Sequence, residues 1–174
     1  MHTVQRLCPL LLTLLTFNAF ITDATATDAA PLRVLVMPYI LTGNIDTKQD
    51  NEHKQRLAMA DAELRKRLQA GAKYDLVGGA DSSAFSKKVI EALHNNNCNH
   101  CEAEFAKPLN VKIIIAPYVY RVSQLVLAMN FVTLDGFTGK IIEKKTLDFR
   151  GDNDQSWQKA IQFFVKKYAP PVKG

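Results

Sequence analysis

Apolar and polar positions divide the chain into alternating strand-like and helix-like segments. Arg33-Val34-Leu35-Val36-Met37-Pro38-Tyr39 is a β-branched run closed by proline, the pattern of a buried strand. Ile40 to Asp50 is mostly polar and reads as loop. From Asn51 to Ala70, Leu57, Ala60, Leu64 and Leu68 recur at helical spacing among charged residues, and Gly71 ends the helix. Tyr74 to Val77, followed by Gly78-Gly79, predicts a second short strand. Asp81 or Ser82 is placed to cap a helix through Phe85, Val89, Ile90 and Leu93, which His94-Asn95-Asn96-Asn97 breaks. Cys101 to Leu109 predicts a short helix with Glu102 and Glu104 in its first turn, where the helix dipole favours acids.

Lys112 to Gln124, Leu125 to Asp135 and Lys140 to Arg150 read as three successive strands. Between the last two, Asp135-Gly136-Phe137-Thr138-Gly139 has the glycines of a hairpin turn. In the final strand Thr146, Asp148 and Arg150 alternate with Leu147 and Phe149, which predicts one wet face. Asn153 or Asp154 then caps a last helix. There Trp157, Ala160, Ile161, Phe164, Val165 and Tyr168 form the clearest apolar stripe in the chain, and Pro170-Pro171 stops it. The order β-α-β-α-α-β-β-β-α predicts an α/β (α+β) fold. It is a single mixed sheet of about five strands with helices packed on it, parallel in the early strand-helix-strand unit and antiparallel in the late hairpins.

The first residues set the compartment. Met1 to Arg6 is short and basic, Leu7 to Ile21 is largely apolar, and Ala24-Thr25-Ala26 supplies small residues at cleavage positions. That is the pattern of a secretory signal peptide over residues 1–26, with Thr27 starting a single globular domain over 27–174. Pro9 and Asn18 interrupt the apolar run, so it predicts no permanent membrane span, and Cys8 leaves with the signal. The expected location is the periplasm. With 47% apolar and 22% charged residues, the chain is ordinary for a globular domain. Its formal charge of +5 is spread over separated pairs (Lys87-Lys88, Lys144-Lys145, Lys166-Lys167). A solvated basic surface follows, with no nucleic-acid partner.

Two exported cysteines, Cys98 and Cys101, remain in the run Asn97-Cys98-Asn99-His100-Cys101-Glu102. Three readings stand. The pair is a disulfide pinning the loop to the short helix, with modest stabilisation because the closed loop is short. Alternatively, it is a redox dithiol at a helix start, where the dipole lowers a thiolate pKa. In the third reading His94, Cys98, His100 and Cys101 hold copper or zinc. Arg150-Gly151-Asp152-Asn153-Asp154-Gln155-Ser156-Trp157 lacks the later ligands of a calcium loop, and reads as a tight turn at Gly151 leading into a helix cap. No serine sits in a Gly-x-Ser-x-Gly elbow, and Gly78-Gly79 is too short to cradle a phosphate. The chain therefore reads as a non-enzyme that carries no cofactor.

Several motifs over Cys98 to Tyr168 resemble a family of predicted secreted bacterial proteins of unknown function. They are Cys98-Asn99-His100-Cys101-Glu102, Phe105 to Val111, Tyr118 to Leu125 with Ser123, Thr138-Gly139-Lys140, and Arg150-Gly151-Asp152-Asn153-Asp154-Gln155-Ser156-Trp157. The family motif residues carried over are Glu102, Ser123, Arg150, Gly151, Asp154, Ser156 and Trp157. The chain departs from the pattern at Gln124 and Asp152, where the family has asparagine, and at Lys107-Pro108, which interrupts a helix. The resemblance implies export and a setting beside quinoprotein alcohol dehydrogenases. More loosely, the chain is similar to envelope domains of the curli-secretion and Tol-associated N-terminal type, which are α/β domains that bind partners. Together these imply a periplasmic accessory domain with an envelope or dehydrogenase protein as partner. The alternative is a thiol-redox or metal-handling module.

Overall fold

In the computed structural model, which describes residues 30–98 and 101–170, the proline-closed run forms strand β1 (Leu32–Val36), an interior strand of a mixed sheet. The expected signal segment and His100 lie outside the described residues. On one side β1 pairs in parallel with β3 (Tyr74–Leu76), and on the other with β4 (Ile113–Arg121). Antiparallel β5 (Val126–Asp135) and β6 (Ile141–Arg150) complete the order β3-β1-β4-β5-β6.

A sixth strand corrects the loop expected over Ile40 to Asp50. β2 (Ile40–Gly43) runs on from β1 and pairs in parallel with the far end of β4, Ile40 opposite Tyr118. Pro38 has no amide hydrogen to donate to a ladder, so it splits one long strand line into two short pieces. Only after β2 does the chain become loop, with a 3-10 turn at Thr47–Gln49 capped by the Asp46 side chain.

Helices cover both faces. α1 (Asp50–Gln69) and α4 (Asp154–Tyr168) pack on one face, and α2 (Gly79–His94) and α3 (Cys101–Ala106) on the other. Alternate residues of each strand feed alternate cores, as the period of two requires. Val34, Val36, Ile115, Val119, Met129 and Phe131 meet Leu64, Leu68, Trp157 and Phe164 in the first core. Leu35 and Ile114 meet Phe85, Val89 and Cys101 in the second.

Two helix starts separate sequence pattern from tertiary contact. Asn153 caps α4 as expected, its side chain accepting from the Ser156 amide at 3.0 Å. In contrast, α2 starts at Gly79 without a side-chain cap, so neither Asp81 nor Ser82 has the expected role. Ser82 is buried. Its hydroxyl donates to the Val36 carbonyl and accepts from Arg65 Nη2 at 2.7 Å. Arg65 also donates to the carbonyls of Val36 and Val77, so one side chain of α1 ties both helical layers to the carboxyl ends of the parallel strands. The short helix ends at Ala106, and Lys107–Leu109 around Pro108 is 3-10. Among the described residues, no helix is long and apolar enough to cross a membrane.

The layers are unequal. The second core takes Leu35 from β1, Ile114 and Ala116 from β4, and Leu134 and Val132 from β5, and nothing from β6. On that face β6 is bare: Thr146 and Asp148 are exposed and Ile141 is 65% exposed, and Tyr120 near the end of β4 is exposed as well.

Candidate functional site

An apolar groove lies where the α2 layer stops and the bare sheet begins. Ile90 and Leu93 of α2 form one wall, Ile141 of β6 the other, and Ile40, Tyr118 and Val132 lie between them. Its volume is about 350 Å³. Ile40, Ile90, Leu93 and Ile141 are all at least 45% exposed, although Ile90 and Leu93 continue the buried row of α2 one turn beyond Ser86 and Val89. Contiguous exposed apolar surface rimmed by polar groups marks binding sites more often than chance exposure. At the open end, the Lys144 ammonium lies 5.8 Å from the Tyr118 ring centroid, and Thr146 Oγ1 donates to Asn130 Oδ1 at 2.7 Å.

Across the sheet lies a buried charge cluster, centred on a residue that the motif reading did not select. Asp152 Oδ1 accepts from Arg56 Nη1 at 2.8 Å and from Trp157 Nε1 at 3.1 Å. Its Oδ2 accepts from Arg121 Nε at 2.9 Å and lies 3.3 Å from His53 Nε2. Arg121 extends the network to the Asn44 carbonyl and Gln49, and Arg56 also binds Asp154. Burial pushes the Asp152 carboxyl up, but the bonds and charges of Arg121, Arg56, Trp157 and His53 outweigh it and hold the group below the usual carboxylate range. With its acceptor capacity spent on fixed donors, Asp152 is a structural anion rather than a general base. The tripeptide Arg150-Gly151-Asp152 is likewise structural. Gly151 has φ +85°, which a non-glycine residue rarely adopts, and this turn aims Asp152 inward.

The remaining motif residues have local roles. Ser123 Oγ accepts from the Leu125 and Val126 amides in the β4–β5 turn. Arg150 ends β6 exposed, Ser156 gives its amide to the Asn153 cap, and Trp157 is fully buried.

Cys98 and Cys101 are joined as a disulfide. Cys101 is buried in the second core and Cys98 packs against it, so the bond fixes α3 to the α2 layer. Glu102 Oε2 lies 3.8 Å from Cys98 Sγ, and among the described residues Cys98, Cys101 and Glu102 are the ones brought together as a donor set. His94, exposed at the end of α2, is not among them. In the bonded form neither sulfur is a thiolate donor. Replacing both cysteines with serine is expected to cost about 2 kcal/mol, the chain-entropy value for so short a loop. Urea unfolding under non-reducing conditions measures it, and a loss of less than about 0.5 kcal/mol would remove the bond from the fold's supports.

Residues 39–168 match the model of the DUF3280 family, described as proteins of unknown function (DUF2380), and the chain belongs to that family. A search of curated proteins finds no match. Among solved structures, the hypothetical protein CT253 from Chlamydia trachomatis is similar at 13% identity, with 78% of this chain and 94% of that one covered and a TM-score of 0.49. Lipoprotein GNA1162 from Neisseria meningitidis shows 15% identity, 78% and 92% coverage and a TM-score of 0.48. The LpoB C-terminal domain from Escherichia coli shows 13% identity, 73% and 87% coverage and a TM-score of 0.44.

Proposed function

We propose that this member of the DUF3280 family is a non-enzymatic, exported accessory domain that binds another protein of the cell envelope through the groove between α2 and β6. The observation carrying the reading is the half-covered sheet. Isoleucines and a leucine stand exposed where a further helix would complete the α2 layer. A sheet face is ordinarily buried by a helical layer, so the occupant that fits is an amphipathic helix of the partner, its apolar stripe lying in the groove. The N-terminal pattern supports a periplasmic setting with cleavage before Thr27, and the motif resemblance favours a quinoprotein dehydrogenase or envelope system as the source of the partner. Consistent with a binding role, the most heavily bonded carboxylate among the described residues is committed to holding α1, β4 and α4 together.

The test compares Ile90→Asp and Ile141→Asp with Glu52→Lys on the opposite layer, using a partner recovered from periplasm by the parent protein. Both groove substitutions are expected to weaken binding by about tenfold or more with unchanged melting temperatures, whereas Glu52→Lys leaves it intact. Equal binding by all three variants would overturn the groove assignment. The thiol-redox and metal alternative makes an opposite prediction. If Cys98 and Cys101 are the working site, the double serine variant loses the activity or metal while its folded state still binds the partner.

A further inference from the structure

We propose that the outer edge of β6 is a self-pairing surface, on which two copies of this chain join antiparallel into one continuous sheet about a twofold axis at Thr146. This does not rest on the groove reading: it uses the main-chain edge of β6, although the same strand supplies Ile141 to one wall of the groove.

β6 has ten residues, pairs only with β5, and is the last strand of the order, so among the described residues its outer amides and carbonyls have no strand partner. An open edge of this length is a ready template for another strand. A lysine-bearing edge ordinarily repels such pairing, so its charge pattern decides between the two. In a twofold antiparallel pair, opposed residues share a face, and every register is centred on one residue facing its own copy. Centring on Glu143, Lys144, Lys145 or Asp148 sets a charge against itself, and centring on Leu147 sets Lys144 against Arg150. Centring on Thr146 differs from all of these. It opposes Lys144 to Asp148 of the other copy and Asp148 to its Lys144, with no like charges facing one another. Threonine meets threonine at the axis, a favourable cross-strand pair, and Leu147 covers the Lys145 stem.

The covering helix adds a second observation. Phe163 of α4 is 46% exposed and packs edge-on against Tyr168, with ring centroids 5.8 Å apart. Lys145 of β6 lies 4.8 Å from that Tyr168 ring, so the exposed aromatic sits on the side of α4 toward the open strand. Joining two edges brings this flank of each α4 toward its copy and gives Phe163 a surface to bury.

Sedimentation velocity over a concentration series tests the proposal on the disulfide-bonded protein. The parent is expected to show a reversible monomer–dimer equilibrium. Lys144→Asp and Asp148→Lys should each weaken the dimer by about tenfold or more, since each turns two opposite-charge contacts into like-charge ones. Combining the two substitutions should restore it, which distinguishes a specific register from a general charge effect. A parent that stays monomeric at the highest soluble concentration overturns the proposal. So does a dimer that the single substitutions leave unchanged, or one that the double variant fails to restore.

Discussion

Replacing Asp152 with alanine is expected to lower the free energy of unfolding by about 3–5 kcal/mol, because it leaves Arg56 and Arg121 buried without their shared counter-ion. Natural domains of this size hold only about 5–15 kcal/mol, so the variant should be marginal at 37 °C. The cost follows from position. Asp152 side-chain exposure is 6%, Arg121 4% and Arg56 12%, so water cannot replace the lost bonds. The carboxylate joins α1, the end of β4, the β6–α4 turn and the Trp157 indole in one contact set. Urea unfolding gives the number, and a loss under about 1 kcal/mol would show that the arginines relax to solvent at little cost.

The same carboxylate has a pH signature with a fixed sign. Its folded pKa is depressed, so the unfolded state binds more protons in the window between the two values. Its stabilisation is therefore present above the unfolded value of about 3.9 and disappears as pH falls through the folded value. Asp152→Asn should flatten the acid limb of stability against pH. Asp61 works oppositely. Burial raises its pKa despite Arg65 and the Tyr39 amide, so its contribution declines as pH rises from its unfolded to its folded value. In the acid limb of the parent, Asp152 and Asp135, whose carboxyl is held low by bonds from Thr138 and Phe137, act in one direction and Asp61 in the other, so removing Asp152 enlarges the relative share of Asp61.

The stripe of α4, its asparagine cap and the alternation in β6 were legible because each is encoded by residues a few positions apart. β2 was not, since four residues after a proline carry no period of their own and gain strand geometry only from the β4 ladder. The start of α2 was missed for a related reason: Ser82 is spent on Val36 and Arg65, a tertiary demand that outranks capping. Asp152 was hidden by distance. Its partners His53, Arg56 and Arg121 lie 99, 96 and 31 positions away. Two signals did point there. His53 continues the buried stripe of α1 one turn before Leu57, and Arg121 occupies an inward position in register with Ile115 and Val119. A titratable residue on an apolar row needs a buried counter-charge, and the acidic turn before Trp157 was the place to look. The groove could not be read in advance, because Ile90 and Leu93 look like core until the fold shows that the helical layer ends beside them and leaves the sheet bare.

Phe131→Ala is expected to cost about 3–5 kcal/mol, the range for emptying an aromatic from a closed core. Phe131 is fully buried at the middle of β5. Its ring stacks on Phe164 with centroids 3.6 Å apart and meets Tyr39 edge-on at 6.2 Å, so it joins the sheet to α4 and to the β1–β2 break. Neither neighbour can close the gap, since Phe164 is held by α4 and Tyr39 by the hydrogen bond its main-chain amide donates to Asp61 Oδ1. Phe131→Leu should recover most of the loss by refilling the volume. The position also separates stability from function. Phe131 belongs to the core under α1 and α4, whereas the groove opens on the opposite face among residues of the second core. At temperatures where the alanine variant remains folded, partner binding should equal that of the parent. Binding lost in step with Phe131 while the fold persists would place the recognition surface on the α1–α4 side instead.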